Sequence, residues 1–172
     1  MKTLRDSITK LDGTPLTIQQ LFHFKFPILV SHELYSEIKR YKHIDDLFLN
    51  NKGIIILVDN PNGTIGHFVC IYKKNNTIHF FDPYGYPLSK ILNIMNIKDN
   101  SLLNLINKSN YNLKYNKFQY ESEKDKIESC GLHCICRLML YKFNDNEYNN
   151  YLKFKDLTHC EIVGLLCFFN IL

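Results

Sequence analysis

Three short β-rich runs follow one another between Gly53 and Phe81, and no other part of the chain limits its fold as strongly. Ile54–Val58 is a continuous, largely β-branched run, the pattern of a buried strand, and it ends in the turn signal Asp59-Asn60-Pro61-Asn62-Gly63. His67–Tyr72 and Thr77–Phe81 then read as two strands of a hairpin, with Lys73–Asn76 as its polar turn. Asp82-Pro83-Tyr84-Gly85 stops the second of them, because proline has no N–H to give to the ladder.

Helical patterns flank this block. Thr17–Phe22 and Ser31–Arg40 carry apolar residues at helical spacing, and Ser31 with Glu33 suits a capped, acidic first turn. Lys90–Asn107 predicts one or two short helices, and Leu113–Tyr120 predicts a further strand. Gly131–Phe143 is apolar nearly all round, as a buried helix is. Thr158–Phe169 opens with a Thr158 to Glu161 capping box. Helices around consecutive strands predict an α+β fold. No repeat, linker or low-complexity tract divides the chain, so residues 1–172 are expected to form one domain.

Composition removes several classes. Hydrophobic residues make up 45% and charged residues 22%, a globular balance. The net charge of +4 comes from lysines placed singly or in pairs, without the long basic run of a nucleic-acid tail. The first fifteen residues lack an apolar h-region, and the apolar runs are too short to cross a bilayer, so neither secretion nor membrane insertion is expected. In a reducing compartment the six cysteines are expected to be free thiols. There is no Gly-rich phosphate loop and no His-Glu-x-x-His, and no cofactor is expected.

Cys130 stands at the predicted start of the most apolar helix. Unpaired backbone N–H groups and the positive end of the helix dipole favour a thiolate there. Gly131 removes a side chain where a substrate carbonyl must approach the nucleophile and the nearby amides. By contrast, Cys70, Cys134, Cys136, Cys160 and Cys167 lie within apolar segments and read as small hydrophobes. His67 opens one strand of the hairpin and Asp82 closes the next, fifteen residues later, which makes them neighbours. Such a pair fixes the imidazole tautomer and stabilises the imidazolium formed when the ring takes a thiol proton. Asp82 also suits an Asx turn before Pro83, and both roles are compatible. His79 alternates to the opposite face, and His133 lies one turn up the helix of Cys130 in a poor position to act as its base. Cys130, His133, Cys134 and Cys136 cluster in sequence, but ligands on one helix diverge and no metal is expected.

The order Gly66-His67-Phe68, then Phe80-Phe81-Asp82-Pro83-Tyr84-Gly85, then Ser129-Cys130-Gly131 resembles the adenovirus-protease-like and ubiquitin-like-protein-protease superfamily of cysteine proteases. The likeness covers about residues 53–142 and is nearest to the compact maturation proteases of virophages, Polinton-type elements and large DNA viruses. It implies a papain-like architecture of the adenovirus-protease type, with a small central mixed sheet and the nucleophile heading a buried central helix. It also implies His67, Asp82 and Cys130 as catalytic residues and a glutamine donor to the oxyanion. The glutamine usual about seven residues before the cysteine is Glu123 here; Gln119, eleven residues before Cys130, takes the role if Glu121–Glu128 holds an insertion. Phe68 stands where tryptophan is usual.

The activity implied is cleavage of viral capsid or core precursors by a monomer in the virion and host cytoplasm, with DNA or a peptide as activator. Two other readings are an isopeptidase acting on ubiquitin-like conjugates and a catalytically inactive virion structural protein of the same fold.

Overall fold

A computed structural model describes residues 24–63, 66–122 and 129–168. Within them five strands form one mixed sheet: β1 (Val30–Leu34), β2 (Gly53–Asp59), β3 (Gly66–Lys74), β4 (Thr77–Phe81) and β5 (Asn112–Tyr115). They lie side by side in chain order. β1 runs parallel to β2, β2 to β3 and β3 to β4 are antiparallel, and β4 to β5 is parallel. A 3-10 turn (Tyr35–Arg40) and α1 (Ile44–Phe48) connect the first parallel pair; α2 (Leu88–Ile94) and α3 (Ser101–Asn107) connect the second. α4 (Cys130–Met139), α5 (Asp145–Tyr151) and α6 (His159–Phe168) follow. The fold is α+β with a central mixed sheet and flanking helices.

Strand alternation divides the core in two. Ile54, Ile56, Val58, Val69, Ile71 and Phe80 face the 3-10 turn and α1, α2 and α3. Ile55, Phe68, Cys70, Tyr72 and Phe81 face the other way, toward α4, α5 and α6. Burial on both faces explains why β2 is an unbroken apolar run rather than an alternating one. α4 packs chiefly on β3, and its buried side is continuous from His133 to Leu138.

Three sequence expectations change, the least of them the helix expected over Gly131–Phe143, which runs from Cys130 to Met139. Ser31–Arg40 is not a helix: Val30–Leu34 pairs with β2, and only Tyr35–Arg40 coils, as a 3-10 turn. Pairing with an exposed edge of β2 outweighs a helical apolar spacing that was only a weak preference. Leu113–Tyr120 is strand only as far as Tyr115. Beyond it, the amides of Tyr120 and Glu121 both donate to the Pro83 carbonyl, at 2.8 and 3.0 Å, so the chain is held against the Asp82–Gly85 turn instead of the ladder. The expected helix Thr17–Phe22 lies outside the described residues. Lys90–Asn107 resolves into α2 and α3, and the Thr158–Glu161 capping box forms in both directions.

Candidate active site

The hairpin register determines where His67 and Asp82 meet. Cys70 faces Phe81 across β3 and β4, so His67, near the start of β3, and Asp82, just past the end of β4, lie diagonally at the same end of the sheet. Their side chains touch: His67 Nε2 is 2.5 Å from Asp82 Oδ1. Asp82 is fully buried and His67 is 8% exposed.

Asp82 is held from several sides. Its Oδ2 accepts the Tyr86 N–H at 2.7 Å, and its carbonyl accepts the Gly85 N–H at 2.9 Å. Asn116, just after β5, clasps its backbone: Oδ1 accepts the Asp82 N–H at 3.0 Å and Nδ2 donates to the Asp82 carbonyl at 2.8 Å. The carboxylate therefore caps its own turn and binds the histidine at once. Gly85 sits at φ +72°, where a side chain is strained, and the turn requires that freedom.

α4 brings Cys130 to the same end. Of the six cysteines, five are buried and Cys130 alone is half-buried. It hydrogen-bonds His67; with Nε2 engaged by Asp82, Nδ1 is the ring nitrogen left for the thiol. Burial opposes a charge on His67, but the hydrogen bonds and negative charges of Asp82 and Cys130 outweigh it and push its pKa from 6.5 up to about 10. At neutral pH the ring is thus an imidazolium between two groups able to carry negative charge.

Three neighbours were not legible as site residues in the sequence. The Tyr84 ring lies 5.3 Å from the His67 ring, and burial, with Glu121, Cys130 and Asp82 close by, pushes its hydroxyl up and keeps it neutral. Glu121 is 2% exposed, and its Oε1 accepts the N–H of Ser129 at 3.1 Å, immediately before Cys130. Ser129 makes no capping bond with its own side chain, so Glu121 orders the entry to α4 in its place. The third is Asn116. Asparagine is so common in this chain that a single one carries no signal.

The remaining candidates take different positions. Gln119 is exposed beside the Asp82–Gly85 turn; a Cβ on Gly85 would lie 3.6 Å from its Cα. Its amide donates to the Glu121 carbonyl at 2.9 Å. Gly131 is buried in the first turn of α4. His133 is fully buried, its ring 6.1 Å from that of Tyr120, and burial together with His159 pushes its pKa down to about 3. His79 stacks on Tyr72 at 4.8 Å, on the face of Phe81. The cysteines of α4 diverge: Cys134 hydrogen-bonds Cys70, and Cys136 meets Cys167. Among the described residues no three His, Cys, Asp or Glu side chains are grouped to hold a metal ion, and no helix is long and apolar enough to cross a membrane.

The fold and site define an α+β protein with a cysteine, a histidine and an aspartate joined at one end of its sheet. Protein V9 of Sputnik virophage is 31% identical over 127 residues, 69% of this chain and 72% of V9, and the chain belongs to the same family. No family model matches the sequence. Among solved structures, ChlaDub1 from Chlamydia trachomatis aligns over 95% of this chain and 71% of its own, at 14% identity and a TM-score of 0.44, too low to bear on fold or activity.

Proposed function

We propose that this chain is a cysteine endopeptidase that processes viral capsid or core precursor proteins during virion maturation. The observation that carries the reading is the hydrogen-bonded series Asp82–His67–Cys130, ending at the one cysteine that is not buried. Family membership with a virophage protein supports the viral setting.

In this reading Cys130 attacks the scissile carbonyl as thiolate, with His67 as imidazolium beside it. Asp82 holds the ring through Nε2 and directs Nδ1 at the sulfur. The tetrahedral oxyanion is met by backbone N–H groups at the start of α4, where Gly131 leaves room, and by Gln119 once its amide leaves the Glu121 carbonyl. His67 then gives its proton to the leaving amine, and the acyl-enzyme forms. Water, deprotonated by the neutral ring, hydrolyses the thioester and returns Cys130.

The test is incubation of the full chain with its cognate capsid precursor and, separately, with ubiquitin-like electrophilic probes. Discrete precursor fragments, absent with Cys130→Ala, are expected. Reaction with the probes alone would replace the endopeptidase by an isopeptidase, and cleavage by Cys130→Ala would remove the thiol mechanism altogether.

A further inference from the structure

Two buried thiols outside the site lie against each other across the helix layer. Cys136 of α4 and Cys167 of α6 have their sulfurs 3.5 Å apart. Each also points at the other's helix, Cys136 Sγ toward the Val163 carbonyl and Cys167 Sγ toward the Leu132 carbonyl, both at 3.9 Å. We propose that Cys136 and Cys167 form a reversible disulfide that staples α6 to the helix carrying Cys130. The sulfurs are already in contact, and a bond requires them to close to about 2.05 Å.

Cys70 and Cys134 are also paired, but both are fully buried. Cys167 retains 8% exposure and Cys136 none, so an oxidant meets Cys167 first. With a peroxide, Cys167 Sγ attacks the O–O bond and becomes a sulfenic acid, its proton leaving in a molecule of water. Cys136 Sγ then displaces the sulfenic hydroxyl, its own proton leaving in a second water, and the S–S bond forms. Two electrons leave the two sulfurs and reduce one hydrogen peroxide to two waters. Burial and the neighbouring Cys167 push the Cys136 thiol up; closure is therefore slow and belongs to sustained oxidation rather than to a reducing cell. Dithiols reverse it.

The bridge closes a loop across a separation of 31 residues, enough to constrain the unfolded chain substantially. Its readouts are thiols and melting temperature, so it stands or falls separately from the protease reading. The experiment uses full-length Cys130→Ser protein with hydrogen peroxide as probe. Six cysteines less the substituted one leave five; two of these are expected to disappear. Fragment spectra should join Cys136 to Cys167, and the melting temperature should rise by roughly 5–10 °C, returning with dithiothreitol. Adding Cys167→Ser, or Cys167→Val if serine prevents folding, should abolish the link and the rise. Cys160→Ala should abolish neither. No thiol loss, a Cys70–Cys134 link instead, or a Cys136–Cys167 link without a gain in melting temperature would overturn the proposal.

Discussion

The two ends of α4 handle charge in opposite ways. At the C-terminal end Arg137 is 2% exposed and held on several sides: its guanidinium donates to the Leu140 and Phe143 carbonyls, both at 3.0 Å, and to the Tyr72 hydroxyl. It stands 3.8 Å from Asp145 and lies over the rings of Tyr72 and Tyr148. The result is a tie between helix, sheet and the turn into α5. At the N-terminal end the buried charge is His67 with Asp82, but the series stops at a half-buried thiol. A buried charge network held on many sides stabilises a fold. One left open at a nucleophile is available for chemistry.

Substitutions at the two ends should therefore separate activity from stability. Cys130→Ala has the largest expected effect, a loss of about 10⁶-fold in kcat against precursor, with a melting temperature that does not fall. Asp82→Asn should keep the turn yet lower kcat/KM by about 10³-fold, and it carries a pH signature. The raised His67 pKa means that its charged form is favoured in the folded protein. That contribution to stability is complete below pH about 6.5 and is lost as pH rises through about 10. The alkaline limb of the activity profile should accordingly lie near pH 10 in the wild type and move well below it in Asp82→Asn.

Arg137→Ala should do the reverse of the cysteine change. It leaves three carbonyl and hydroxyl acceptors and Asp145 without their buried cation, and should cost about 3–5 kcal/mol in denaturant titrations. Where that protein remains folded, its specific activity should stay within a few fold. Gln119→Ala has the smallest expected effect, roughly 10²-fold in kcat with KM little changed, if its amide turns to the oxyanion. An unchanged kcat would restrict the oxyanion donors to the backbone at α4.

Much of this was legible in the sequence because a few segments permit only one reading. Ile54–Val58 can hardly be anything but a buried strand, and the hairpin that follows brings His67 and Asp82 together by register alone. Ser31–Arg40 misled because its spacing suits a helix, while each residue of Val30–Leu34 pairs with a β2 residue twenty-three positions later in the chain. Asn116 and Glu121 were invisible for another reason. In a chain rich in asparagine and lysine, polar residues read as surface, and only the folded structure shows one clasping the Asp82 backbone and the other buried against Ser129. The likeness of Cys136 and Cys167 to small hydrophobes was correct for each alone and silent about their contact.

In the proposed mechanism His67 activates Cys130, but exposure alone would also make Cys130 the fastest thiol to react. Site-resolved iodoacetamide labelling at pH 6.5, wild type against His67→Ala, separates the two. Cys130 in the wild type should label at least about tenfold faster than any other cysteine, and this advantage should collapse in His67→Ala. Equal Cys130 labelling rates in the two proteins would mean that exposure, not His67, sets the reactivity.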